Sequence, residues 1–144
     1  MRVVCYMNMP TPQQEGFYRE LARLCDLTVL YNGEISPQRR VLGWDIRPEG
    51  YRFLFRHSLS NGDRRLISSG DFHFLTGLPG SLENVMRVFS VSDPSRLALQ
   101  SEMRMPTMQT ARRRLQSWAF ALLLRKRHIA VCGIGIKMRQ YFER

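Results

Sequence analysis

The chain has 144 residues, enough for one ordinary core but not two. Hydrophobic residues make up 44% and charged residues 24%, a globular balance that excludes wholesale disorder. Lys plus Arg is 22 against 12 Asp plus Glu, a formal charge of +10 that points to an anionic partner such as nucleic acid, a phosphate-rich ligand or an acidic membrane face.

In chain order, Val3 to Met7 is a short continuous apolar run that predicts a strand buried on both faces. It meets Pro10 too soon to be a signal peptide. Asn8-Met9-Pro10-Thr11-Pro12 predicts a turn, and Phe17, Leu21 and Leu24, with neighbours Tyr18 and Cys25, mark a helix over roughly 14–25 that Asp26 breaks. Leu27 to Tyr31 predicts a second strand, which completes a βαβ unit and with it an open, mostly parallel sheet. Residues 32–50 read as loop, with Val41–Ile46 extended, before a third strand at Tyr51–Phe55. Asn61-Gly62-Asp63 predicts a turn and Arg64–Ser68 a helical turn. A fourth strand is expected at Phe72–Leu75, a helix capped by Ser81 through about Phe89, and a fifth strand over Met103–Thr110. A long helix follows over Ala111–Lys126, with Leu115, Trp118, Ala119, Leu122 and Leu123 on one face. A sixth strand at Ile129–Cys132, a tight turn at Gly133-Ile134-Gly135 and a last helix from Ile136 complete the pattern. The expected fold is α/β: a Rossmann-like open sheet of about six strands flanked by helices, with residues 1–144 as a single domain.

Several of these stretches resemble a known family. Asn8-x-Pro10-Thr11-Pro12, Phe17-Tyr18-x-Glu20-Leu21-Ala22 and Asp26 to Tyr31 look like the opening of bacterial two-domain (GT-B) glycosyltransferases of the retaining, family-4 type. The basic stretch Arg112–Lys126, then His128 to Gly133 and Met138-x-x-Tyr141-Phe142, is similar to their arginine-rich helix, strand, glycine, helix block. The resemblance implies the acceptor-side, amino-terminal half of such an enzyme, with the nucleotide-sugar held by a carboxy-terminal domain or a separate subunit that these 144 residues lack. It implies surface-polysaccharide synthesis, a sugar or lipid-linked acceptor, and no activity from this half alone. Two departures stand out. Gln13-Gln14 occupies a place where the family often has an aromatic-arginine pair, and Thr107-Met108-Gln109-Thr110 one where it often has a reactive polar group.

Asn8, Thr11 and Gln13 follow the carboxyl end of the first strand, where open α/β sheets place their ligands. These side chains suit sugar hydroxyls or a diphosphate; the alternative is a turn that merely caps the crossover. Gly77, in Thr76-Gly77-Leu78-Pro79-Gly80-Ser81, holds the equivalent place after strand four, and Gln109 lies at the end of strand five; both are candidates for an acceptor site or interdomain cleft. Gly133-Ile134-Gly135 is not a dinucleotide fingerprint, and the first loop contains no glycine. His57, His73 and His128 have no metal-ligand spacing, and His73 is expected in the core or on the opposite sheet face from Phe72 and Phe74. No metal, cofactor or catalytic residue is assigned, Asp71 and Glu102 included. Cys5, Cys25 and Cys132 are expected to be buried free thiols in a reducing cytoplasm.

The longest apolar run, Trp118–Leu124, is far short of the ~20 residues that span a bilayer. Arg112, Arg113 and Arg114 at one end and Arg125, Lys126 and Arg127 at the other bracket a face bearing Trp118. Such a helix fits an anionic membrane surface, as peripheral attachment to the inner face, or equally a solvated surface helix. Nucleic acid is the competing partner, resting on charge alone, because no recognition motif accompanies the arginines.

Overall fold

The computed structural model describes residues 1–44, 46–76, 93–102, 122 and 125–134. Six strands form one sheet in the order β3-β2-β1-β4-β5-β6: β1 Arg2–Met7, β2 Asp26–Tyr31, β3 Arg52–Phe55, β4 Phe72–Thr76, β5 Leu97–Glu102 and β6 Ala130–Ile134. The β1–β2, β2–β3 and β5–β6 pairs are parallel. This is the open α/β, Rossmann-like arrangement expected from the βαβ opening, and its strand order reverses direction at β1. The chain divides into two compact units, Met1–Phe74 and Leu75–Arg144.

In the first unit β1 and β2 are buried without alternation from Val3 to Met7 and from Leu27 to Tyr31 because both faces are covered, with Thr28 the polar exception. On one face Val3, Cys5 and Met7 meet Leu27, Val29 and Tyr31 beneath α1, Pro12–Ala22, whose Tyr18 is buried in the same cluster. α1 starts two residues earlier and stops three earlier than its apolar spacing predicted. Pro12 supplies a first-turn residue whose missing N–H costs nothing there, and Leu24 falls beyond the helix at 83% exposure. The packed stripe is Tyr18, Leu21, Ala22 and Cys25; Phe17 is half exposed.

Two predictions between β2 and β4 need correction. Val41–Ile46 is not extended: Val41 closes a short helix, α2, Pro37–Val41, which Pro37 starts and Gly43 stops. Gly43 adopts φ +83°, its N–H bonds to Arg40 O at 3.0 Å, and Trp44 N–H bonds to Arg39 O at 3.0 Å. That pair of bonds is the Schellman closure, for which glycine is the favoured residue. Likewise Asn61-Gly62-Asp63 is no separate turn but the first turn of α3, Asn61–Ser68. Ser60 and Asp63 form a reciprocal capping box, at 2.9 and 3.1 Å, a signal that Asp in place of the usual Glu or Gln obscured.

On the opposite face of the first unit Val4 has no solvent exposure, and Tyr6 OH is hydrogen-bonded to His73 Nδ1 at 2.8 Å. His73 is therefore a buried partner of Tyr6, as its alternation with Phe72 and Phe74 implied. Arg2 closes the amino end: its N–H donates to Asp71 Oδ2 at 2.7 Å and its guanidinium reaches Asp26 and Ser69.

In the second unit the fifth strand is Leu97–Glu102, introduced by Asp93, which accepts from Ser95 N–H at the start of a 3-10 turn. The stretch expected to form it, Met103–Thr110, lies outside the described residues, as do the helices expected at 81–89 and from Ile136. The sixth strand runs on through Gly133 and Ile134, which were read as a turn, because both continue the ladder opposite Ser101 and Glu102. His128, at φ +53°, takes the left-handed conformation that turns the chain into β6.

Gly70 tests the packing around β1. A Cβ there would lie 2.7 Å from Val4 Cγ2 and 3.2 Å from His73 Cε1. Val4 is β-branched and fully buried, so it cannot swing away. Gly70→Ala is expected to cost about 1–3 kcal/mol, read as a lower urea midpoint at unchanged slope.

Candidate functional site

β1 ends at Met7, and the chain leaves the sheet through Asn8-Met9-Pro10-Thr11 before α1 begins. The loop is fastened by its backbone: Asn32 N–H donates to Met7 O at 2.8 Å and Gly33 N–H to Asn8 O at 2.9 Å. Pro10 is buried and Asn8 exposed, its Oδ1 only 3.4 Å from Asn32 Nδ2. Thr11 is the cap residue of α1 but its hydroxyl makes no capping bond, and Gln13 is exposed. The three residues expected here thus share one rigid loop with polar groups uncommitted to the cap.

Neighbours that sequence reasoning passed over complete the surroundings. Gln14 Oε1 is buried and accepts no hydrogen bond from the described residues. Arg39, on α2, donates from Nη1 to Met9 Sδ at 2.9 Å and lies 4.6 Å over the Trp44 ring. The Met9 contact couples α2 to the loop, and the cation–π contact holds the Arg39 guanidinium against Trp44. No motif marks Arg39 and Trp44; their meeting depends on the Schellman turn, for which Gly43 was the only signal.

Under α1 a second polar cluster forms. Tyr51 OH donates to Glu15 Oε2 at 2.7 Å, so its single proton is used, and Tyr31 OH donates to Tyr51 at 2.9 Å. Glu15 Oε1 accepts from Glu49 N–H at 3.2 Å, with Arg19 at 3.9 Å. Burial pushes the Tyr31 phenol up to about 12, the nearby Glu15 charge adding to the effect, although the Tyr51 hydrogen bond opposes it. Tyr51 is raised further by burial and by its bonds to Tyr31 and Glu15. These phenols stay protonated and hold the loop before β3 against α1 and β2.

Of the other expected site residues, Gly77, Gln109, Arg112, Arg113, Arg114 and Trp118 lie outside the described residues. Arg125 and Lys126 are helical and exposed, and Arg127 is half-buried in the turn that follows. Leu122, expected on the packed face, is 38% exposed. Cys5 is buried, but Cys25 is half-buried and Cys132 exposed, so burial of all three thiols does not hold: Cys132 points outward from β6. Among the described residues no three His, Cys, Asp or Glu side chains converge as metal ligands, and no helix is long and apolar enough to cross a membrane.

The tyrosine pair has a pH signature. Its raised values mean the folded state keeps protons that the unfolded chain releases near 10, so the pair's contribution is complete below pH 10 and is lost as pH rises through about 12. Tyr51→Phe, which removes the donor to Glu15 Oε2, is expected to cost about 1–3 kcal/mol at neutral pH and to flatten stability loss above pH 10. Paired chemical-denaturation curves at pH 7 and 11 check this.

No protein-family model, curated protein or solved structure matches this chain.

Proposed function

We propose that the chain is an acceptor-binding domain of a glycosyltransferase that moves sugar from a nucleotide-sugar to a polysaccharide or lipid-linked acceptor. The observation that carries the reading is the loop at the carboxyl end of β1, the strand at which the sheet order reverses. Its side chains are neutral amides and a hydroxyl, Asn8, Thr11 and Gln13, followed by Gln14, whose buried side-chain Oε1 has no hydrogen-bond partner among the described residues. Uncharged donors and acceptors on a rigid turn suit sugar hydroxyls. The glycine-rich turn that brings backbone against a diphosphate is lacking there. The resemblance of this loop, of α1 and of β2 to bacterial two-domain glycosyltransferases supports the same reading. In those enzymes a second domain or subunit binds the donor, and this half is inactive without it.

The reading extends to the cytoplasmic face of a membrane, where lipid-linked acceptors are found. What supports it is the basic stretch from Arg112 to Arg127, in which Arg125 and Lys126 are exposed.

The test is thermal stability of the 144-residue chain with acceptor oligosaccharides and with a panel of nucleotide-sugars. Oligosaccharide is expected to raise Tm and nucleotide-sugar to leave it unchanged. Asn8→Ala and Gln13→Ala are each expected to weaken oligosaccharide binding about fivefold, the loss of one neutral hydrogen bond, without lowering the Tm of the free chain. Stabilisation by a nucleotide-sugar, with none by any oligosaccharide, overturns the assignment.

A further inference from the structure

The three parallel strands of the first unit's βαβ half end level with one another. Met7 stands opposite Tyr31, and Tyr31 opposite Phe55, in the register of β1, β2 and β3. The residues that leave their carboxyl ends therefore share one edge: Asn8 from β1, Asn32 to Glu34 from β2, and His57 just past β3. Two strand spacings, about 10 Å, separate the end of β1 from the end of β3, more than a single pyranose ring covers. The Asn8 loop occupies one end of that edge. A second group of side chains occupies the other.

Glu34 is its centre. The backbone is pinned on both sides of it, by the Gly33 N–H bond to Asn8 O at 2.9 Å and by buried Ile35. Glu34 Oε2 lies 3.7 Å from Arg40 Nη2, and Oε1 lies 3.8 Å from His57 Nε2. Both distances exceed hydrogen-bond reach, so the carboxylate is flanked by two nitrogen groups while its lone pairs stay open to hydroxyl donors. The His57 ring lies over Phe55, with centroids 5.7 Å apart and planes 26° apart, and 59% of its side chain is exposed. Phe55 in turn packs against Tyr31 and Phe53. A carboxylate takes paired hydroxyls through charge-assisted bonds, and a flat ring beside it takes the C–H face of a pyranose. That combination suits a neutral sugar. A phosphate-bearing ligand, nucleic acid included, fits less well, because the carboxylate stands between the arginine and the imidazole.

We propose that Glu34 and His57, backed by Phe55, form a second sugar subsite beside the Asn8 loop, so that the acceptor is a chain of at least two neutral sugar units. The inference rests on the acceptor-domain reading and adds to it the length and the neutrality of the acceptor.

The full 144-residue chain is titrated calorimetrically with gluco-, galacto-, manno- and N-acetylglucosamine saccharides of one to four units. For a series that binds, affinity is expected to rise at least about tenfold from one unit to two, the worth of one charge-assisted hydrogen bond. Glu34→Gln and His57→Ala are each expected to remove most of that gain, with circular dichroism unchanged. His57→Phe, which keeps a flat ring over Phe55, is expected to retain it. Equal affinity for one unit and two, or a gain that survives both Glu34→Gln and His57→Ala, overturns the second subsite and leaves the acceptor-domain reading standing. No saccharide binding at any length overturns both. Binding of inorganic pyrophosphate in preference to every saccharide, strengthened by Glu34→Gln, overturns the subsite by assigning the edge to an anionic ligand.

Discussion

Val4 and Cys5 point to opposite faces of β1, and neither is reached by solvent. A strand can be sealed on both sides only if something covers each face, and most of the first unit is a consequence of meeting that demand. On the Cys5 side α1 lays Tyr18 over the strand pair; on the Val4 side Gly70 comes so close that a side chain cannot be added. Of the polar side chains this burial would strand, Tyr6 pairs with His73, whereas Thr28 Oγ1, opposite Val4, has no hydrogen-bond partner among the described residues. With β1 fixed along its length, the loop that leaves its carboxyl end inherits a defined position. A ligand loop is only as well placed as the strand that feeds it.

The same demand explains what was legible in the sequence. A doubly buried strand favours an apolar run: Val3–Met7 is unbroken, and Leu27–Tyr31 and Phe72–Leu75 are each interrupted by one polar residue, Thr28 and His73. Helix ends and short helices were harder, because their signals are single residues whose meaning depends on neighbours. Gly43 reads equally as loop glycine or helix stop, and only the Arg39–Trp44 closure decides it. Asp63 reads as part of an Asn-Gly-Asp turn until Ser60 is seen to face it. Leu97–Glu102 was passed over because Gln100, Ser101 and Glu102 give the second half of that strand a polar composition, although its register with Ala130–Ile134 is continuous.

The loop itself was found by position, not by chemistry. Asn8, Thr11 and Gln13 were identifiable because they follow the first strand of a βαβ unit. Gln14 was indistinguishable from Gln13 in sequence, and which of the two turns inward is decided by the pitch of α1. Arg39, thirty residues beyond Met9, reaches its Sδ from α2, and Trp44 meets Arg39 through a turn geometry that no composition rule encodes. Local periodicity carries the scaffold; the side chains that meet across it depend on tertiary closure.

The three thiols are graded in access: Cys132 lies open on β6, Cys25 is partly covered, and Cys5 is sealed, with burial and then Cys25 pushing its thiol up to about 12. A thiol reagent therefore meets them in sequence. Cys132 takes a label while the fold is intact, which gives a handle in the second unit without engineering. Cys5 responds only when β1 parts from its cover, since a sealed, protonated sulfur is a poor nucleophile. The molecule thus carries its own clock for opening of the first unit, read by the rate at which a second and a third equivalent of reagent are consumed.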